Sequence, residues 1–310
     1  MLNMINLLNL IRWKNLLLIA LIQVLIKYAL FKPFEIDVTL NGFGFSLLVI
    51  ATLCIAAAGN IINDIYDIDT DLINKPEKVI VSKSISEPKA FNLFLILTVI
   101  GVCIGFYLSN LINKTGFSAI FIFTSALLYL YSTSLKQTIL IGNIIVSILV
   151  AMSIIIVGLF DLLPVITPEN QQTQLTMFKI LLDYALFAFM INLLREIIKD
   201  IEDIEGDTKA EMRTLPIVIG KNKATKLLFV LSFIPLLSIV YYVVTYLYKE
   251  QIAVVYFLLF IIAPLLYFTI KIFNANNKKE LHRLSNVLKL IMFFGVLSLL
   301  LYKYKHILIN

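Results

Sequence analysis

This 310-residue sequence predicts an all-α, polytopic membrane protein: a bundle of about nine transmembrane helices with cytoplasmic cap loops. Three observations carry the prediction. Hydrophobic residues make up 60% of the chain and charged residues only 15%, against roughly 45–50% and about 25% in soluble domains. Apolar windows of membrane length recur along the whole sequence. Lysine and arginine, finally, are distributed unevenly between the connecting segments. Disordered, collagenous, coiled-coil and nucleic-acid-binding readings are excluded by the composition alone.

A helix needs about 20 apolar residues to cross the hydrocarbon core. Windows of that size fall near 15–33, 44–66, 91–110, 116–134, 138–160, 176–198, 227–247, 252–272 and 287–304. The first follows Arg12 and Lys14, and no small-residue cleavage site comes after it, so it reads as an uncleaved span. Trp13, the single tryptophan, stands where an interfacial aromatic belongs. Cys54 and Cys103 lie inside apolar runs without Cys or His partners, so neither a disulfide nor a zinc framework is indicated. The whole of 1–310 reads as one transmembrane domain.

With the amino terminus inside, 19 of the 26 Lys and Arg fall on the cytoplasmic side. The segment 161–175, on the opposite side, carries Asp161 and Glu169 but no base. The positive-inside rule therefore predicts a multi-pass cell-membrane protein with a cytoplasmic amino terminus and an external carboxyl terminus. Two long polar segments, near 67–90 and 199–226, then share the cytoplasmic face. Pro76, Pro88, Gly206, Pro216 and Gly220 punctuate them as short helices and turns do.

Each of these caps opens on a group of carboxylates. In Asn60-Ile-Ile-Asn63-Asp64-Ile-Tyr66-Asp67-Ile-Asp69-Thr-Asp71, a continuous helix gathers Asn60, Asn63, Asp64, Asp67 and Asp71 within about 100° of arc. Asp69 points elsewhere. After Arg195, a second helix gathers Glu196, Asp200, Asp203 and Asp207 within about 60°, with Glu202 and Glu205 facing away. Crowded carboxylates repel, and burial at a membrane surface raises the cost. Either lysines compensate them, or hard oxygen ligands of this kind hold Mg²⁺, which takes one or two protein carboxylates and completes its shell with water and phosphate oxygens. Solvated interfacial helix ends are the plainer reading, but two stripes on one face favour a shared site.

Asn63-Asp64-x-x-Asp67-x-x-x-Asp71 resembles the first aspartate motif of the UbiA superfamily of intramembrane prenyltransferases. The run Arg195 to Asp207, followed by Arg213-Thr-Leu-Pro216, resembles the second, in wording closest to the branch that makes digeranylgeranylglyceryl phosphate. Asp71-Leu-Ile-Asn74-Lys75-Pro76-Glu-Lys78 is similar to the family's continuation of the first motif. Lys75 and Lys78 stand there in place of the usual arginines, Val79 in place of a proline, and Met212 in place of a small residue. The resemblance also takes in Tyr131-Ser-Thr-Ser-Leu-Lys136 and Gly142-Asn143.

The resemblance implies Mg²⁺-dependent transfer of a long-chain prenyl group, geranylgeranyl by the branch, from its diphosphate to a lipophilic acceptor in membrane lipid synthesis. It implies Asp64, Asp67, Asp71, Asp200, Asp203 and Asp207 as metal ligands, with Asp64, Asp67, Asp200 and Asp203 central to catalysis. Asn60 and Asn63 would supply neutral oxygens. Lys136 and Lys199 would contact the diphosphate directly, with Lys75, Lys78 and Arg213 as loop partners. Tyr66 and Tyr131 are the candidate aromatic faces for the developing cation. Arg195 and Glu196 are expected to pair structurally, and His282 and His306 to be interfacial. Membrane lipids surround the protein; neither nucleic acid nor an obligatory protein partner is implied. An aromatic acceptor, as in quinone synthesis, is the alternative within the superfamily. The D-G-x-x-A-R opening of the CDP-alcohol phosphotransferases is absent, and soluble prenyl diphosphate synthases lack membrane-length runs. A non-enzymatic transporter is the alternative of another class.

Overall fold

The computed structural model describes residues 4–275 and 277–302. Among them there is no strand, only an isolated bridge between Val81 and Ile85. Nine helices are long and apolar enough to cross a membrane: Trp13–Phe34, Gly42–Tyr66, Glu87–Leu111, Thr115–Thr133, Ile141–Val165, Gln171–Glu202, Lys221–Leu247, Gln251–Ile272 and Lys278–Tyr302, numbered spans 1 to 9 below. Each overlaps one of the apolar windows. A short helix, Met4–Leu10, precedes them; seven residues are too few to register as a membrane window.

The span ends follow from local chemistry. Asn41 caps span 2 by accepting the Gly44 N–H (2.9 Å), and Asn277 caps span 9 by accepting that of Glu280 (2.8 Å). Pro88 occupies the first turn of span 3, where its missing N–H costs nothing. Span 1 loosens into a π-helical stretch, Ile26–Phe31, as do spans 7 and 8 at Val243–Leu247 and Leu258–Ile262.

A glycine lets the backbones of spans 2 and 3 approach closely. A Cβ on Gly101 would lie 2.7 Å from Ile55 and 3.2 Å from the Ala51 carbonyl oxygen. At the end of the bundle away from the acidic motifs, Lys27 Nζ contacts both Asp161 oxygens (2.9 and 3.1 Å), and Asp161 also accepts the Leu40 N–H (2.9 Å). Asp161 is wholly buried, so this pair ties span 1 to span 5; removing one partner would cost about 3–5 kcal/mol.

One buried apolar cluster joins spans 1 to 6 and 9, a second joins spans 6 to 9, and a third lies under the first cap. Large apolar side chains such as Phe123, Leu237 and Ile270 point outward, as a bilayer requires and water would not tolerate. Between spans 1, 2, 4, 5 and 6 a cleft runs inward from the two caps.

Candidate active site

Span 2 delivers Asn60, Asn63 and Asp64 to the cleft on its last turns. The helix then breaks at Asp67 (φ −101°, ψ 3°) before continuing as a first cap helix, Ile68–Asn74. Local hydrogen bonds compete with regular helix here: Asn63 Nδ2 donates to Asp67 Oδ2 (2.6 Å), and the Thr70 hydroxyl donates to the Asp67 carbonyl (3.0 Å). Span 6 repeats the device. It ends at Glu202, breaks at Asp203 (φ −100°, ψ 8°) and continues as a second cap helix, Ile204–Lys209. The acidic stripes are therefore two bent helices, not the continuous ones expected, and the bends lie at equivalent aspartates.

All six aspartates, Asp64, Asp67, Asp71, Asp200, Asp203 and Asp207, line the cleft, as do Asn60, Asn63, Tyr131, Lys136, Lys75, Lys78 and Lys199. Asp69 and Glu205 are exposed outside it. Two expected side chains do not reach it. Tyr66 is 45% exposed and meets Tyr129 edge-on, because two residues beyond Asp64 means about 200° around a helix. Arg213 uses its backbone N–H, on the Gln137 carbonyl (2.8 Å), while its side chain is absent from the cleft lining.

The carboxylates are partly neutralised. Arg12 pairs with Asp64 (2.8 Å), Lys136 with Asp67 (2.5 Å), Lys75 with Asp203 (2.5 Å), and Lys199 with Glu196 (2.7 Å). Asn143 Nδ2 donates to Asp200 (2.8 Å). No ion pair reaches Asp71 or Asp207 within 4.0 Å among the described residues. Burial, reinforced by Asp67, pushes the Asp71 carboxyl up to about 6. Burial, reinforced by Asp203, pushes Asp207 to about 7. Both groups thus gain from any cation that enters.

Sequence reasoning missed several groups. Arg12 read only as an orientation signal, yet it grips Asp64. Glu202, expected to face away, is buried in the cleft lining and contacts His282 Nδ1 (3.2 Å); it ends span 6 ahead of the bend, and span 9 covers that flank with His282. His282 is half-exposed at the rim, whereas His306 lies outside the described residues. Arg195 is farther from Glu196 (3.5 Å) than Lys199 is, so Glu196 pairs chiefly with the lysine.

The caps are clasped together. Asn74 donates to the Asp203 carbonyl (2.9 Å) and accepts the Gly206 N–H (3.0 Å), and Lys278 Nζ donates to the Asn74 carbonyl (3.0 Å). Both motifs are thereby held across a single cleft.

The donor set suits Mg²⁺. Asn63 Oδ1 and Asp203 Oδ1 are buried oxygens without a hydrogen-bond partner. Among the described residues no three His, Cys, Asp or Glu side chains converge as a self-sufficient metal site; that spacing matches an ion completed by water and phosphate oxygens. Beneath the acids the cleft, about 960 Å³, turns apolar along Ile55, Ala56, Gly59, Phe121, Leu128 and Met152.

The chain is similar to known proteins along most of its length. The chain is 34% identical to the digeranylgeranylglyceryl phosphate synthase of Methanosphaera stadtmanae, over 81% of this chain and 86% of that one. It is 32% identical to the synthase of the same name from Methanococcoides burtonii, over 90% and 92%. A solved structure concerned with digeranylgeranylglyceryl phosphate synthase in membranes superposes with a TM-score of 0.63 at 25% identity, covering 97% of this chain and 98% of that one. A UbiA homologue from Archaeoglobus fulgidus, solved with GPP and Mg²⁺, shares the fold (TM-score 0.55, 18% identity, 95% and 99% coverage). The sequence pattern of the UbiA prenyltransferase family spans residues 19–298, from span 1 through span 9 and across both acidic bends; the chain is a member of that family, an integral multi-pass membrane prenyltransferase.

Proposed function

We propose that this enzyme transfers a geranylgeranyl group from geranylgeranyl diphosphate to the free hydroxyl of geranylgeranylglyceryl phosphate, forming an ether lipid. The observation that carries the reading is the pair of bent acidic helices clasped across one cleft, in a chain whose curated relatives bear the name of that synthase. Prenyl diphosphate is the donor and a membrane lipid the acceptor. The chain, 1–310, works as one transmembrane domain.

Asp64, Asp67 and Asp71 from one side and Asp200, Asp203 and Asp207 from the other would hold Mg²⁺, with Asn60 and Asn63 as neutral donors. Bound there, the metal supplies charge compensation for the departing diphosphate, worth several kcal/mol. Lys136, Lys75, Lys199 and Arg12 now spend their charge on carboxylates; with donor bound they turn it to diphosphate oxygens, and Lys78 closes the rim. The donor C1–O bond breaks with its electron pair leaving on diphosphate, and the acceptor oxygen bonds to C1. Its proton leaves to the released diphosphate or to a carboxylate of the second motif. Tyr131 offers an aromatic face to the developing cation, and the clasped caps exclude water.

Purified protein supplied with labelled geranylgeranyl diphosphate, Mg²⁺ and each acceptor separately should yield the ether lipid by mass spectrometry. A prenylated aromatic product without ether lipid would overturn the acceptor assignment. The charge bias puts the active site on the cytoplasmic face. Cysteines introduced at Ser84 and Lys221 should then resist an impermeant thiol reagent in intact cells, and one at Glu169 should react; labelling at Ser84 would reverse the orientation.

A further inference from the structure

A second cavity, about 1030 Å³ and mainly apolar, lies between spans 1, 6, 7 and 9. It joins the acidic cleft along a seam: Lys14, Asn15, Asn192, Arg195 and Lys289 are among the residues lining both. The shared residues include three bases and no carboxylate. Asp183, the one acid lining the apolar cavity, lies 12 residues deeper than Arg195 on span 6, about 18 Å away at helical rise.

These bases are not consumed as those of the cleft are. Arg195 is 12% exposed, touches Glu196 only at 3.5 Å, and its buried Nε has no partner. Lys14 lies against the Trp13 ring (5.8 Å). Neither Lys14 nor Lys289 takes part in any of the ion pairs of the cleft. Arg195, Lys78 and Arg12 all repel Lys289, with Glu202 in partial opposition, so positive charge gathers where the two cavities meet. On the cleft side the imbalance is reversed, with Asp71 and Asp207 unpaired. Two anionic groups entering together would therefore sort themselves: a metal-bridged diphosphate to the acids, and a lone phosphate to the bases.

We infer that Lys14, Arg195 and Lys289 form the binding site for the phosphomonoester of the lipid acceptor, whose prenyl chain fills the adjoining apolar cavity. The inference rests on the ether-lipid reading above and assigns the acceptor to a place distinct from the donor. The cap lysines are committed elsewhere: Lys75 lies on the donor side against Asp203, and Lys83 donates to the Pro76 carbonyl. A phosphate on the seam sets the acceptor glycerol at the boundary of the acidic cleft, within the shared lining and not in the bilayer.

The test uses the full chain in zwitterionic nanodiscs without metal, and measures binding of geranylgeranylglyceryl phosphate and of unphosphorylated geranylgeranylglycerol. Lys289→Gln should weaken the phosphorylated lipid about tenfold, and the Lys14→Gln, Lys289→Gln pair about a hundredfold, one charge-assisted contact per base. The unphosphorylated lipid should bind all variants alike. Lys289→Arg should restore binding, and Lys223→Gln, an exposed cap base, should change nothing. In turnover with Mg²⁺, the same variants should raise the acceptor KM and leave the donor KM in place. Equal loss for both lipids, an equal rise in donor KM, or displacement of the probe by phosphatidylglycerol at equal mole fraction would overturn the site. If the wild type forms ether lipid while these variants behave as wild type, the site alone fails. If the wild type forms none, the ether-lipid reading itself fails, and the site with it.

Discussion

Asp64→Asn, Asp67→Asn, Asp200→Asn and Asp203→Asn are each expected to lower prenyl transfer by about a thousandfold, while Asp69→Asn and Glu205→Gln stay within about twofold of wild type. The argument is geometric first. All four carboxylates line the cleft, whereas Asp69 and Glu205, each two residues from a motif aspartate, are exposed outside it. The magnitude follows from the charge compensation of a leaving diphosphate, several kcal/mol, at 1.36 kcal/mol for each tenfold in rate. Removing Asp64 or Asp203 also frees Arg12 or Lys75 from its ion pair, so the excess positive charge would hold the diphosphate product as well as the substrate. Donor binding should therefore survive better than turnover in these two variants. Asp200 is held by Asn143 and not by a base, so Asp200→Asn should lose both. Steady-state kinetics with Mg²⁺ titration, alongside thermal melting to establish folding, measures the pattern. Comparable losses at Asp69 or Glu205 would show that the cleft does not select its acids by position.

How much of this was readable beforehand depends on the range of the interaction concerned. The spans were readable because lipid forces each one to be continuously apolar and to satisfy its own backbone. Asn60, Asn63, Asp64 and Asp67 were readable because 100° per residue groups them before any tertiary contact forms. The bends at Asp67 and Asp203 were not, since they depend on side-chain hydrogen bonds, local at Asp67 and from Asn74 of the other cap at Asp203; the burial of Glu202 depends on span 9 packing over it. Tyr66, about 200° from Asp64 on the same helix, points away from the cleft. Arg12 and Arg195 illustrate a different limit. A base beside an apolar span serves topology in every membrane protein, and only the packing of span 1 against spans 2 and 9 shows that Arg12 meets Asp64 and that Lys14 and Lys289 share a seam. The π-helical turns in spans 1, 7 and 8 left no signature at all, because their register depends on packing.

Gly206→Ala should reduce kcat/KM by about a hundredfold without removing any charged group. A Cβ at position 206 would clash with Asn74 Nδ2 and lie 2.8 Å from the Thr70 carbonyl oxygen. The latter is backbone of the first cap helix and cannot swing aside as a side chain can. Relief requires the two cap helices to separate, which breaks the Asn74 hydrogen bonds to the Asp203 carbonyl and the Gly206 N–H. Two buried hydrogen bonds left unsatisfied cost about 1–3 kcal/mol each, enough to shift the clasped arrangement toward an open one. The loss should fall on the relation between the motifs, because Asp64 and Asp67 stay with span 2 while Asp203 and Asp207 move with the second cap. A displacement of about 1 Å at a reacting centre is enough to cost a hundredfold. Asn74→Ala should produce a similar defect by removing the clasp without steric conflict, and the double variant should be little worse than either single one, since both act on one contact. Open caps also admit water, so the ratio of diphosphate released to prenyl group transferred should rise above one in both variants and stay at one in the wild type. Strict additivity of the two substitutions, or an unchanged ratio, would mean that the caps close the cleft by some other contact.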